Sequence, residues 1–422
     1  MPAGRTLAEW LSYQQALHPQ SIDLGLERVR VVADRLGLRP PAGRVAVVGG
    51  TNGKGSTAAL LAALVQAHGA RTGLFTSPHL LRYHERVRVD GAEPDDAQLC
   101  AAFGQIEAAR GAESLTYFEF NTLAALLLFR ASAVEVSVLE VGLGGRLDAT
   151  NIIDADVSVL CSVGLDHRDW LGDTLEQIGV EKAGIFRAGR AAILGNAGMP
   201  ATVGRALDAL GVRPLVAGED FRWQVHADGS WDFRADDLEL AGLPPPALQG
   251  HIQYRNAAVA LRALMVLRAP QALRPAAVAA ALRAVRLPGR LQFEPGTTEW
   301  VYDVAHNEAA AAVLAAELRA RPAVGRTFAI FGMLGDKDVA AVVAQLDTLV
   351  DHWLLCTLAG ARALSAAQLH ERMGPVRGTV QQAADVAGAC ARAQQLAQAG
   401  DRVLVCGSFH TVGPALQARR LY

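Results

Sequence analysis

Lysine is scarce in this chain. Of its 40 lysines and arginines only three are lysines, Lys54, Lys182 and Lys337. Wherever a positive charge alone is needed, arginine supplies it. A retained lysine is therefore a candidate for chemistry that a guanidinium cannot do, as a compact ammonium or as an amine that loses its proton. Net charge is also lacking, at −2, so there is neither a basic field for nucleic acid nor an acidic tail. The five cysteines, Cys100, Cys161, Cys356, Cys390 and Cys406, show no C-x-x-C spacing and read as free thiols of a reducing cytoplasm. No uncharged apolar stretch reaches the roughly 18 to 20 residues of a membrane helix. The opening MPAGRTLAEWLSYQQ has no apolar signal core. A cytoplasmic monomer that engages neither membrane nor nucleic acid is expected.

What is present is a globular composition, 51% hydrophobic and 19% charged over 422 residues, long enough for two or three domains. Short apolar runs alternate with amphipathic stretches. RVAVVG (44–49), RTGLFTS (71–77), VEVSVLEVG (134–142) and DVSVLCSVG (156–164) read as strands, and KGSTAALLAALVQAHG (54–69) and NTLAALLLFRA (121–131) as helices. This alternation predicts a mainly parallel sheet with helices on both faces. Around 218–241, FRWQV and WDFRA flank HADGS, whose Asp-Gly signals a hairpin and a small antiparallel flap. RAVRLPGRLQF (283–293) reads as a hinge at Pro288 and Gly289. A second alternation follows: strand EWVYDVA, helix 307–320, strand TFAIFGML, helix 337–347, strand HWLLCTL, helix 381–399 and strand DRVLVCGS. The expected fold is α/β. A P-loop-type, mainly parallel domain with its flap fills 1–287, and a smaller Rossmann-like α/β domain fills 288–422.

GGTNGKGST (49–57) lies between a strand and a helix, where backbone N–H groups and the helix dipole converge on an anion. The usual phosphate-loop pattern places a hydroxyl directly after the lysine. Here Gly55 follows Lys54, and the hydroxyls are Ser56 and Thr57. In LEVGLGGRLDATN (139–151), Glu140 stands near a strand's C-terminal end, where open α/β sheets bind ligands. It suits a metal ligand or a Walker-B-like group. His167 follows another strand in LDHRDWLG. Lys182 sits beside Glu181, so a surface ion pair is the plain alternative to a chemical role. In the second half YDVAHNEAA holds Asp303, His306 and Asn307, GMLGDKD holds Lys337, and GSFHTVG forms another loop after a strand. Taken singly, these three are ordinary caps and loops. Together they suggest a second sheet closing over the first site.

In order along the chain, HPQSIDLGLERV, GGTNGKGST, TSPHLLRYHERVRV, TYFEFNT, LEVGLGGRLDATN, LDHRDWLG, EKAGI, LPGRLQ, DVAHN and GSFHTVG cover about residues 18 to 413. This set resembles the folylpolyglutamate synthase/dihydrofolate synthase branch of the Mur ligase superfamily, with Glu308 where that family usually has proline. The resemblance implies that the shifted hydroxyl is normal. Asn52, Gly53, Lys54, Gly55, Ser56 and Thr57 would hold the ATP phosphates, with Ser56 on a Mg2+ ion. Glu140 would bind magnesium and, with His167, a second ion. Lys182 would be carbamylated, a modification that arginine cannot carry. Asn256 would contact the adenine side, Arg290 the phosphates, and Asp303 and His306 the nucleotide from the second domain. Lys54, His167, Lys182 and Arg290 form the implied catalytic set. Lys337 is left without a firm role. The pterin would lie among Ser77 and His79, Thr116, Phe118 and Glu119, and the loop from Arg146 to Asp148. Asp23, Leu24 and Gly25 belong to the segment that resembles a dihydropteroate-binding one.

The implied reaction is ATP-dependent addition of L-glutamate to 7,8-dihydropteroate and to tetrahydrofolate through an acyl phosphate. Closure at 286–290 would keep water out. The alternatives are polyglutamylation alone, another Mur-type amide ligase, and a nucleotide-dependent switch. Only about 43 residues precede the first core strand, too few for a separate UDP-binding domain. A switch would have no use for DVAHN or for Lys182.

Overall fold

The structure is a computed structural model that describes residues 4–20, 22–268 and 272–422. Ser21, within HPQSIDLGLERV, lies outside the described residues. Seven strands, β1 (Arg44–Gly49), β2 (Thr72–Phe75), β3 (Val87–Val89), β4 (Val136–Glu140), β5 (Val157–Leu160), β6 (Ala191–Leu194) and β7 (Leu215–Val216), form the first sheet. Their order is β3-β2-β4-β1-β5-β6-β7, and only β3 runs antiparallel to its neighbour. The nearly uninterrupted apolar runs of β1, β4 and β5 follow from burial on both faces. Val45, Val47 and Leu139 join the cluster under helices Glu27–Arg35, Asp96–Arg110 and Tyr117–Ala131. Ala46, Val48 and Val138 join the opposite cluster, under helices Lys54–Ala67 and Ile252–Leu267.

The expected flap is a three-stranded antiparallel sheet, β8 (Phe221–Val225), β9 (Trp231–Ala235) and β10 (Leu238–Leu243). Phe221, Trp231 and Phe233 are buried in the same cluster as helix Ile252–Leu267. The flap is thus a lid on that helix.

The second large sheet holds β11 (Gln292–Glu294), β12 (Glu299–Tyr302), β13 (Thr327–Phe331), β14 (His352–Cys356), β15 (Thr379–Ala383) and β16 (Arg402–Cys406), in the order β11-β12-β16-β13-β14-β15. It is parallel except for β11. One expectation fails here. The helix anticipated over 381–399 spans only Val386–Leu396, and residues 379–383 are strand. β15 is an edge strand paired only to β14. Its TVQQA exposes polar side chains, so it carries no apolar alternation to read.

At the expected hinge, Leu287 packs on the first region's core and Leu291 on the second's, with Pro288, Gly289 and Arg290 between. The two regions touch. Leu80 packs against the second region's cluster, and a Cβ on Gly413 would lie 2.5 Å from the Leu80 carbonyl oxygen.

The helix after β1 is wedged between sheet and helix, and Leu60 on it is fully buried. Leu60→Ala is expected to cost about 2–5 kcal/mol, read as a lowered urea midpoint. Val324→Ala, at 96% exposure, should stay within about 0.5 kcal/mol of wild type. Equal effects would contradict this packing.

Candidate active site

β1 delivers the chain into the loop 50–53, and helix Lys54–Ala67 begins at once. Gly53 caps this helix at φ +88°, a left-handed backbone that suits glycine. A Cβ there would also crowd Asn256 Oδ1 at 3.2 Å. No side chain caps the helix, so its leading N–H groups remain free for an anion. Lys54 Nζ donates to the carbonyls of Gly50 (2.9 Å) and Thr51 (3.1 Å), folding the ammonium over the loop. The end of β5 pins the loop: Thr51 N donates to Ser162 O (2.8 Å) and Asn52 N to Ser162 Oγ (2.9 Å).

Residues 51–56 line a cavity of about 330 Å³ together with Glu140, His167, Asn256, Arg290, Asp303 and His306. Nearly all the residues expected at nucleotide and metal come together there. Two do not line it. Thr57 is fully buried, its hydroxyl 3.5 Å from Cys161 Sγ. Lys182 is 5% exposed and does not line the cavity. Among the described residues Lys182 makes no ion pair, and its neighbour Glu181 pairs with Arg146 (2.8 Å). Burial, reinforced by the charge of Lys54, pulls the Lys182 ammonium down to about 7.

Glu140 ends β4 beside Val48 of β1 and accepts a hydrogen bond from Ser77 N (3.1 Å). A Cβ on Gly55 would stand 3.4 Å from the same carboxylate, in ordinary contact, so the start of the helix lies against Glu140. Burial raises the Glu140 carboxyl, and the charge of Lys54 opposes this. Asp303 is locked by the backbone N–H groups of Leu291 and Ala305, both at 2.8 Å. Arg290 lies over the Phe409 ring, 4.7 Å from its centroid.

Asp166, which sequence reading passed over, is the hub. Its Oδ1 meets Lys337 Nζ at 2.5 Å, and its Oδ2 accepts from Asn307 Nδ2 at 2.9 Å and lies 3.5 Å from His306 Nε2. Burial would raise this carboxyl, but the hydrogen bond from His306 and the nearby Lys337 charge outweigh it and hold Asp166 far below the usual carboxylate range. Asn307 also exchanges two amide hydrogen bonds with Asn52 of the loop (3.0 and 3.1 Å). His167, next in sequence, has its Nε2 3.4 Å from Lys337 Nζ. Burial and then the surrounding cations bring its imidazolium down to about 3, so the ring is neutral.

A second cavity, also about 330 Å³, is lined by Asp23, Leu24, Gly25, Ser77, Thr116, Phe118, Glu119 and Asp148, all expected at the substrate. Thr116 and Glu119 have a local task too. They form the capping box of helix Tyr117–Ala131, with Thr116 N donating to Glu119 Oε2 at 2.7 Å. Two expected residues lie elsewhere. Arg146 points out to Glu181, because Gly145 and Gly184 let the two backbones pack face to face and leave its side chain only the outside. His79 sits behind the wall and accepts from Arg86 Nε at 2.7 Å. Arg86 itself lines the cavity and was not anticipated.

Residues 48–203 match the Mur ligase middle domain, and residues 289–409 match the Mur ligase, glutamate ligase domain. The Escherichia coli dihydrofolate synthase/folylpolyglutamate synthase is 45% identical over 417 residues, 98% of this chain and 96% of that one. The chain belongs to the dihydrofolate synthase/folylpolyglutamate synthase family. Solved structures of this family agree in fold. E. coli FolC in complex with DHPP and ADP superposes with a TM-score of 0.93 at 44% identity, covering 99% of both chains. The Yersinia pestis bifunctional enzyme complexed with AMPPNP and Mn ion gives 0.91 at 44% identity, again over 99% of both chains. No helix among the described residues is long and apolar enough to cross a membrane.

The Asp166–Lys337 pair is 7% and 6% exposed. Removing one partner of a buried pair strands the other, at about 3–5 kcal/mol. Asp166→Asn and Lys337→Met should therefore each lower the melting temperature and cut ATP turnover sharply. The double variant should lose clearly less than the sum of the two. Additive losses in this cycle would mean that the pair does not couple the two regions.

Proposed function

We propose that this chain is an ATP-dependent ligase that adds L-glutamate to 7,8-dihydropteroate, giving dihydrofolate, and to tetrahydrofolate, giving polyglutamates. The observation that carries the reading is the meeting of the two cavities. Ser77, Pro78, Gly142, His167, His306 and Phe409 line both. An aromatic acceptor in the apolar cavity therefore presents its carboxylate at the glycine-rich loop. Membership of a family whose E. coli member is named for both activities supports the pair of reactions.

The chain's residues divide the work. The free N–H groups at the start of helix Lys54–Ala67, with Lys54 and Arg290, hold the ATP phosphates. Asn256 flanks the loop on the nucleoside side, while Asp303 and His306 approach the nucleotide from the second region. A carboxylate oxygen of the acceptor attacks the γ-phosphorus, and ADP leaves. The glutamate amine attacks the resulting acyl phosphate carbon and gives up a proton, and inorganic phosphate departs with the C–O bonding electrons. Catalysis is mostly positioning and charge neutralisation. We place the domain boundary at residues 287/288, and closure there keeps water from the acyl phosphate.

Ser56 and Glu140 fit a magnesium ion. Among the described residues no three His, Cys, Asp or Glu side chains form a cage, and magnesium keeps water and phosphate oxygens around it. Bound there, the ion supplies Lewis-acid neutralisation of phosphate charge. A second ion would rest on the neutral His167 and on a carbamate at Lys182. The Lys182 amine, brought to about 7, is in good part uncharged near neutrality, the form that adds to CO2. We take the chain to act as a monomer.

The decisive assay is Mg2+-dependent phosphate release from ATP with L-glutamate, run with each acceptor. Release with both is expected. Release with tetrahydrofolate alone would leave only polyglutamylation, and release with neither would remove the folate assignment. For Lys182, 13C-bicarbonate should give a carbamate carbonyl signal by NMR in the wild type and none in Lys182→Arg. The sign of the pH dependence follows from the lowered value. The neutral amine disappears as pH falls through about 7, so the signal and the activity at limiting bicarbonate should fade together below that pH. Identical spectra for the two proteins would rule out the carbamate.

A further inference from the structure

We infer that Arg86 is the receptor for the acceptor's carboxylate and thereby sets both the selection and the aim of the acceptor. This rests on the ligase reading given above. Three permanent cations line the apolar cavity: Arg86, Lys337 and Arg362. Lys337 is paired with Asp166 (2.5 Å), and Arg362 with Asp336 (2.8 Å). Among the described residues Arg86 has no carboxylate within ion-pairing distance, although it is only 8% exposed. A buried, unpaired cation is costly unless something completes it.

The surroundings orient this guanidinium without neutralising it. Its Nε donates to His79 Nδ1 at 2.7 Å. Burial, and next the Arg86 charge itself, lower the His79 imidazolium to about 4, so the histidine accepts as a neutral ring and leaves the full charge of Arg86 in place. The rings of Tyr117 and Tyr83 flank it at 5.4 and 6.0 Å. Glu85, its sequence neighbour, is turned away onto the backbone N–H groups of Leu80 and Leu81 (2.7 and 2.8 Å). Among the described residues Nε is the only nitrogen of the group that makes a hydrogen bond, so the terminal nitrogens keep a fork free. A planar, two-pronged donor matches a carboxylate. The wall also carries the carboxylates Asp23, Glu119 and Asp148, which accept hydrogen bonds from Arg28, Thr116 N and Thr150 N respectively, and the apolar Leu24, Phe118, Leu143 and Leu147. Pterin and aminobenzoyl rings suit those residues, and the acceptor's acid suits Arg86. Arg86 shares its cavity with Ser77 and Pro78, which line the cavity at the glycine-rich loop as well, and its charge acts on Glu140 of that second cavity, where it favours the carboxylate.

The test compares two ligands on the full chain with ADP and Mg2+ present: 7,8-dihydropteroate, and the same dihydropteridine bearing an anilinomethyl group without the carboxylate. Affinities are read by fluorescence titration for the wild type, Arg86→Gln and Arg86→Lys. The expected result for Arg86→Gln is at least a tenfold loss for dihydropteroate and less than a twofold change for the analogue. ADP affinity should be unchanged, and Arg86→Lys should recover part of the loss. KM for dihydropteroate should rise alongside, with KM for ATP within twofold. Equal weakening of both ligands would make Arg86 a structural residue and overturn the inference, as would an unchanged dihydropteroate affinity. A wild-type chain that binds dihydropteroate while Arg86→Gln binds it equally overturns this inference alone. A wild-type chain that does not bind dihydropteroate overturns the dihydropteroate half of the ligase reading with it.

Discussion

The Asp166 carboxylate, buried where the two large sheets meet, is the constraint on which the site depends. It belongs to the loop after β5, yet its partners Lys337, His306 and Asn307 all come from the second region. A buried carboxylate is tolerable only with such partners. The two regions are therefore held in one relation by the need to satisfy this charge, and that relation carries the rest. Asn307 reaches from Asp166 to Asn52 and so ties the glycine-rich loop to the same point. His167, one residue further on, is placed at the junction of the two cavities. If the regions parted, Asp166 and Lys337 would rehydrate, the cavities would lose their shared wall, and an acyl phosphate would meet water. The electrostatic requirement and the chemical one are met by the same closure.

Within that frame the site sorts charge by depth. The cavity at the loop is edged by Lys54, Arg290 and Glu140, groups suited to phosphate and a divalent ion. The other cavity combines charged groups with an aromatic and aliphatic wall, Leu24, Phe118, Leu143 and Leu147. Glycine makes the boundary between them thin. A Cβ on Gly142 would lie 2.5 Å from the Phe118 ring. Larger residues would separate the ring-binding wall from the carboxylate that faces the loop.

Much of this was legible in the sequence, for physical reasons that differ by element. β1, β4 and β5 are buried on both faces and read as apolar runs. The glycine-rich loop announces itself because its backbone needs glycine. The edge strand β15 was read as helix because an exposed strand shows no alternation. Asp166 was missed because its partner Lys337 is 171 residues away, and no local pattern marks such a pairing. Arg146 does not line the cavity, although the motif around it reaches the wall through Asp148; its side chain turns out to Glu181, and its Cβ packs where Gly184 leaves space. Motif spacing locates a loop. It does not say which way each side chain in that loop turns.

The three lysines show how far composition can be carried. An ammonium is a compact charge, and a guanidinium is a wide fork that stays protonated. Lys54 must converge on two carbonyls of a tight turn, Gly50 and Thr51, within its own helix start. Lys337 places one atom between Asp166 Oδ1 and His167 Nε2, at 2.5 and 3.4 Å. Lys182 is buried without a carboxylate partner among the described residues, a position in which a guanidinium would remain charged and an amine is free to give up its proton. In a chain that uses arginine for every other such cation, two of the three lysines converge on closely spaced acceptors and the third is buried. Arg86 is the complementary case, since a carboxylate in the apolar cavity is met best by a fork. The choice between the two cations, position by position, follows from what each must face.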